Sequence, residues 1–140
     1  MKILVINGPN LNMLGKRDSD HYGSMTYDEL CRMLESNFQN HIFVFFQSND
    51  EGTLINRIQE AVGEEWNGLI CNFGGLSHTS VAIRDAVELI PFKKIEVHLS
   101  NIHSREEFRH TTLTGGACNG IIAGFGPQSY VLAIKALEIG

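Results

Sequence analysis

Ile42-Phe43-Val44-Phe45-Phe46 leads into Ser48-x-x-Glu51, then into Leu54, Ile55, Ile58, Ala61 and Val62, and then into Gly68-Leu69-Ile70-Cys71-Asn72. The two outer pieces are short continuous apolar runs, the form taken by parallel strands covered on both faces. The middle piece repeats its apolar residues at i, i+3, i+4 and i+7, which is one face of an amphipathic helix. Ser48 and Glu51 have the spacing of a capping box at its start. Strand, helix and strand in so short a stretch make one β-α-β unit.

The same alternation continues outward in both directions. Ile3-Leu4-Val5-Ile6 precedes it as a strand, and Lys94-Ile95-Glu96-Val97-His98-Leu99 and Gly120-Ile121-Ile122-Ala123-Gly124-Phe125 follow. Thr26-x-x-Glu29 caps a helix carrying Leu30, Met33, Leu34 and Phe38. A further helix is predicted over Thr79 to Leu89. The last begins near Pro127, a residue tolerated in a first turn, and runs to about Glu138. Five β-α units predict an α/β fold, a flavodoxin-like doubly wound five-stranded parallel sheet of order 2-1-3-4-5 with helices on both faces. The 140 residues fit a single domain spanning 1–140. Ligands of such sheets bind beyond the strand ends where the winding reverses, here between the first and third strands. That selects Asn7 to Gly23, Asn72 to Thr79 and His98 to His103 as the segments to search.

Composition excludes several classes. The chain is 43% hydrophobic and 19% charged, with a formal net charge of -5, and its isoelectric point is about 5.6. That balance argues against nucleic-acid or membrane-surface binding through overall charge. The three cysteines, Cys31, Cys71 and Cys118, include no C-x-x-C pair. They make a poor disulfide framework and a poor zinc site, and read as reduced, mostly buried thiols of a cytosolic protein. The opening apolar run is too short for a secretory signal, and no run approaches membrane-spanning length.

Within the selected segments, the first loop is long for a β-α connection and has the character of a lid. Gly15 and Gly23 are its candidate hinges, with Arg17 and Tyr22 between them; a solvated surface loop is the other reading. Gly74-Gly75 beside a helix start offers backbone N–H groups to an anion, or simply a tight turn with Ser77 or Thr79 as the N-cap. It lacks the spacing of a nucleotide-binding loop. On the fourth strand, Glu96, His98 and Ser100 share one face and Ile95, Val97 and Leu99 the other. A carboxylate, an imidazole and a hydroxyl in a buried strand need partners or a task. The residues alone leave acid–base chemistry and a satisfied core histidine both open. Ser104-x-x-Glu107 reads as another capping box, which puts Arg105 and Arg109 on one face of a short helix. Of the two, Arg109 is the better candidate for holding an anionic or hydroxylated ligand. His98 and His103 have no common metal-ligand spacing.

Together these segments resemble the type II 3-dehydroquinases over nearly the whole chain. The resemblance rests on Ile6 through Leu11 with Arg17 and Tyr22-Gly23, on Asn72 through Asp85, on Ile95 through Arg109, and on Gly124-Phe125-Gly126. It implies reversible dehydration of 3-dehydroquinate to 3-dehydroshikimate without metal or cofactor. It implies Tyr22 as the base at carbon 2, Arg17 beside it favouring the tyrosinate, and Asn10 helping to stabilise the enolate. It implies His98 as the acid for the leaving hydroxyl, organised by Glu96. It implies that Asn72 and the backbone at Leu99 and Ser100 bind the substrate carboxylate, and that His78 and Arg109 bind ring hydroxyls. It further implies a cytoplasmic homo-dodecamer built from trimers, in which Asp85 reaches a neighbouring subunit's site. Phe73 departs from the family pattern, standing where a small residue or proline is expected. Tyr27, inside a capping box, reads as structural.

The alternative of the same architecture is a flavodoxin-like FMN-binding module. The first loop lacks the Ser/Thr-rich phosphate cradle that module uses. A phospho-receiver domain needs acidic residues where Asn7 and Asn72 stand.

Overall fold

The computed structural model describes residues 1–16 and 18–140. The strands are β1 (Lys2–Asn7), β2 (Ile42–Gln47), β3 (Gly68–Asn72), β4 (Lys94–His98) and β5 (Gly120–Ala123). They form one five-stranded sheet of order β2-β1-β3-β4-β5, every pair parallel. This is the flavodoxin-like order expected from the sequence. The winding reverses between β1 and β3, whose last residues, Asn7 and Asn72, are register partners.

The helices are α1 (Ser19–Tyr22), α2 (Tyr27–Asn37), α3 (Glu51–Val62), α4 (Val81–Glu88) and α5 (Gln128–Ile139). They cover the sheet on both faces. On one face Leu30 and Leu34 of α2 and Tyr130, Ala133 and Ile134 of α5 pack with Ile3, Val5, Ile70, Ile95 and Val97. On the other, Leu54 and Ile58 of α3 and Ile83 and Val87 of α4 pack with Leu4, Ile6, Leu69 and Cys71. Successive strand residues thus enter opposite cores, as the two-residue period requires. Full coverage holds for the inner strands. On the edge strands Ile42 and Ile121 remain exposed.

Helix starts follow local polar chemistry, and some differ from the sequence expectation. Thr26 caps α2 as predicted, its hydroxyl accepting from the Glu29 N–H at 3.1 Å. α3 is capped by Asp50 rather than Ser48. The Asp50 carboxylate accepts from the Thr53 N–H at 2.8 Å, and a full charge suits the positive helix end better than a hydroxyl does. Ser48 instead accepts from the Asp50 N–H at 3.0 Å, one turn earlier. α4 starts at Val81 with Ser80 as its cap, not Ser77 or Thr79, because Gly74–His78 is taken up by a 3₁₀ turn. The helix expected from Ser104 is replaced by two 3₁₀ turns, Ile102–Ser104 and Glu107–Arg109. Asn101 caps the first, and Arg105 is extended, which breaks the continuity.

Candidate active site

The pocket lies at the reversal of the sheet, and from Asn72 in its lining a chain of side-chain amides and phenols runs into the core. The Gly8 N–H donates to the Asn72 carbonyl at 2.7 Å, tying the ends of β1 and β3. The Asn72 side-chain oxygen accepts from the Gly74 N–H at 3.1 Å. Its amide nitrogen donates to the Tyr130 hydroxyl at 3.0 Å. That hydroxyl donates in turn to the Asn7 oxygen at 2.5 Å. The Asn7 amide then reaches the Tyr27 hydroxyl at 3.4 Å. Tyr130 is fully buried, and burial pushes its phenol well above the ordinary value, so it stays protonated. Sequence reading missed Tyr130. The available signal was a phenol on a helix face of otherwise apolar residues, which needs a polar partner once buried. Gly74 has φ 59°, and a side chain there would meet the Pro9 carbonyl at 2.9 Å, so the turn can approach the first loop only as glycine.

The wall is the end of β4. Glu96 has no exposure and His98 only 5%. The His98 Nε2 lies 2.8 Å from Glu96 Oε2. The same carboxylate accepts from the Thr112 hydroxyl at 2.6 Å and from the Thr114 hydroxyl. Surrounded by donors, Glu96 is equipped to hold negative charge without exposure to water. The row Glu-x-His-x-Ser therefore has partners for its first two members, and Glu96 stands behind His98 rather than in the pocket lining.

His78 stacks on His98, with ring centres 5.8 Å apart. Its Nδ1 lies 2.8 Å from the Thr111 carbonyl. A carbonyl only accepts, so Nδ1 carries the proton and Nε2 is the acceptor of the neutral ring. Burial, opposed by that carbonyl, pulls the pKa of His78 below its ordinary 6.5, with the charges of His98 and Arg109 acting in the same direction as burial.

The roof is the segment after β4 together with α1. Tyr22 lines the pocket from the last residue of α1. Gly15 and Gly23, on either side of it, both take positive φ. The Arg105 guanidinium sits over the Tyr22 ring and donates to the Ser100 hydroxyl at 3.2 Å. The pocket thus receives Arg105 as well as Arg109, the arginine preferred from the sequence. The Arg105 side chain is 10% exposed and Arg109 20%. Arg109 also lines the pocket but spends its Nε on Glu106, at 3.3 Å. Breaking the expected helix is what turns Arg105 inward.

The cavity is about 110 Å³ and also receives Asn10, Leu99 and Ser100. Asn10 is in the left-handed region (φ 72°), with its N–H donating to Asn49 at 2.9 Å. Among the described residues no carboxylate lines the cavity, while two imidazoles and two guanidinium groups do. Both guanidinium groups also face the Glu106 carboxylate, at 3.7 and 3.3 Å. Asp85 is exposed on α4 and is not brought to this pocket. Arg17 lies outside the described residues. Phe73, the departure noted in the sequence, is fully buried in the core beneath α3 and α4 and leaves the cavity free. Among the described residues no group of three or more His, Cys, Asp or Glu side chains is arranged to hold a metal.

A flavodoxin-like sheet whose reversal carries a pocket, a phenol and a carboxylate-backed histidine defines a doubly wound α/β protein with its candidate site at the switch point. The chain matches the family described as Dehydroquinase class II over residues 1–138. It belongs to that family and is an enzyme of the type II dehydroquinase kind. It is 50% identical to the 3-dehydroquinate dehydratase of Fusobacterium nucleatum over 141 aligned positions, covering 98% of this chain and 96% of the relative. To that of Helicobacter acinonychis it is 51% identical, covering 98% of this chain and 84% of the relative. The crystal structure of a type II dehydroquinase from Butyrivibrio crossotus superposes with a TM-score of 0.95 at 47% identity, covering 99% of this chain and 97% of that one.

Proposed function

We propose that this chain catalyses the reversible dehydration of 3-dehydroquinate to 3-dehydroshikimate through an enolate. The observation that carries the reading is the carboxylate-free pocket, with Tyr22 under a guanidinium on one side and the Glu96-backed His98 on the other. A tyrosinate at Tyr22 takes the proton from carbon 2, and the electron pair moves into the carbonyl as an enolate. The negative charge of that enolate is met by the Asn10 side chain and its hydrogen bonds. His98, as the imidazolium, is paired with Glu96 through Nε2 and holds its second proton on Nδ1. It gives that proton to the carbon 1 hydroxyl, which leaves as water while the double bond forms. A free tyrosine has a pKa of about 10, so the base needs a nearby cation, which lowers it by roughly 1 to 3 units. Arg17 supplies this cation by resemblance to the family, and the Arg105 guanidinium over the Tyr22 ring supports a cationic setting.

In this reading Asn72 and the backbone at Leu99 and Ser100 take the substrate carboxylate, and His78 and Arg109 take ring hydroxyls. The chemistry asks for no metal or cofactor. Residues 1–140 act as a single catalytic domain, in support of which every strand joins one sheet. The same reading makes the protein a cytoplasmic homo-dodecamer of trimers, with Asp85 serving a neighbouring subunit's site. Among the described residues no helix is long and apolar enough to cross a membrane. The test is a spectrophotometric assay for the conjugated enone on adding 3-dehydroquinate, with and without a chelator. Enone formation insensitive to chelation supports the reading, and no enone with folded protein ends it. Light scattering of the purified protein checks the dodecamer.

A further inference from the structure

Cys71 and Cys118 are distant in sequence and adjacent in space, with sulfurs 3.8 Å apart. Cys71 is fully buried on β3, one residue before Asn72. Cys118 closes the 3₁₀ turn Gly115–Ala117, is half-buried, and has its sulfur 3.6 Å from the Thr114 carbonyl. The third thiol, Cys31, belongs to α2 on the opposite face of the sheet, so it does not compete for either partner. A disulfide needs sulfurs about 2.05 Å apart, and two thiols already in van der Waals contact reach that by small side-chain rotations and a slight closing of the turn.

Both thiols adjoin the groups that hold Glu96. Cys71 is the register partner of Glu96 across β3 and β4. Thr114, whose carbonyl faces the Cys118 sulfur, gives its hydroxyl to Glu96. The Gly115 N–H donates to the Thr112 hydroxyl at 3.1 Å, and that hydroxyl also binds Glu96. Drawing Cys118 toward β3 therefore moves the turn that supplies two of the three hydrogen bonds to the carboxylate behind His98.

We propose that Cys71 and Cys118 form an oxidisable dithiol site, closed to a disulfide by a peroxide, and that closure slows the enzyme by displacing the Thr112 and Thr114 donors from Glu96. The steps balance. The more accessible Cys118, as thiolate, attacks a peroxide oxygen; the O–O bond breaks, and hydroxide leaves and is protonated to water. Cys118 is then a sulfenic acid. The Cys71 sulfur attacks it, the S–S bond forms, the S–O bond breaks, and the leaving hydroxide takes the Cys71 proton as a second water. Two thiols lose two electrons and two protons, and hydrogen peroxide becomes two waters. A dithiol reductant reverses the bond. The effect on turnover rests on the proposed roles of Glu96 and His98; formation of the bond does not.

The test uses the full chain treated with hydrogen peroxide, digested without reduction and mapped by mass spectrometry, with turnover followed in parallel. The expected result is a peptide linked through Cys71 and Cys118 and a loss of kcat of about tenfold or more, the scale of a sub-ångström to 1 Å misplacement, restored by dithiothreitol. Cys118→Ser keeps untreated turnover and loses the response, and Cys31→Ser keeps both. Peroxide doses that oxidise Cys31 or Cys118 singly without forming the link overturn the proposal, and so does a link with unchanged turnover. A link formed in a folded chain that lacks dehydratase activity supports the dithiol site and removes the functional reading instead.

Discussion

The guanidinium carbon of Arg105 lies 5.1 Å from the centre of the Tyr22 ring. Its Nη1 is held by the Ser100 hydroxyl, and its Nε is buried without a hydrogen-bond partner. That Nε lies 3.7 Å from a Glu106 carboxylate oxygen, and in the proposed mechanism the guanidinium is a cation beside the Tyr22 base. Arg105→Ala is expected to lower kcat/KM by roughly 10²-fold, the scale of one lost electrostatic partner in a closed site. It should also raise the apparent pKa of the base seen on the alkaline side of the pH–rate profile. Arg105→Lys should recover part of the rate, since the charge returns without the planar fork. A profile that keeps its shape in Arg105→Ala would leave the base to other cations.

Tyr130 holds Asn72 of the pocket lining from α5, more than a hundred residues along the chain from Asn7, its other hydrogen-bond partner. Tyr130→Phe removes one acceptor from Asn72 and one donor from Asn7, leaving two buried amide groups short of a partner. Each unsatisfied group costs about 1–3 kcal/mol, so urea unfolding should show a loss of about 2–6 kcal/mol for the two. Because Asn72 is the proposed carboxylate ligand, KM should rise more than kcat falls. Unchanged stability together with unchanged KM would show that Asn72 is positioned without Tyr130.

The sheet was legible because its signals are local: apolar runs of strand length, and helices whose period is visible in eight to twelve residues. Glu96 and His98 were legible for the same reason, as polar residues in an otherwise buried strand. What escaped depends on tertiary competition. Ser48 has capping-box spacing, but Asp50 is nearer the helix and carries a full charge. Ser104 has it too, but Asn101 closes a turn first, and the resulting extended Arg105 enters the pocket instead of facing solvent. Tyr130, Thr112 and Thr114 reach the site from distant elements, and no spacing in the chain announces those contacts. The Cys71–Cys118 approach across 47 positions is of the same kind.

His78 supplies a pH dependence with a definite sign. Its pKa is lowered from 6.5 in the folded state, chiefly by burial. Between that lowered value and 6.5 the unfolded chain binds more protons at this residue than the folded one does. Stability from this group is therefore full above pH 6.5 and declines as pH falls through the folded value. Binding should follow the same direction, because protonating Nε2 removes the acceptor offered to a substrate hydroxyl. KM is expected to rise as pH falls through that lowered folded-state value, and His78→Gln should flatten that rise. A KM that falls on acidification would assign His78 to the carboxylate, as a cation.

Glu96→Gln separates the two halves of the reaction. The carboxylate accepts from His98, Thr112 and Thr114 together. A carboxamide has one oxygen for these donors and turns its NH₂ toward at least one of them, so at least one of these hydrogen bonds is lost. His98 also loses the carboxylate partner on its Nε2. In the proposed mechanism, proton abstraction by Tyr22 uses neither group. In deuterated water, Glu96→Gln and His98→Ala should both keep exchange at carbon 2 within a few-fold of the parent enzyme. Their elimination should fall by about 10² to 10⁴, the usual range for removing general acid catalysis. Exchange and elimination falling in parallel would mean that the pair shapes the whole pocket and not the acid step alone. Removal of a single threonine contact is then the discriminating control: Thr112→Val in the parent enzyme removes one donor and keeps the charge, so it should slow elimination by less than Glu96→Gln does.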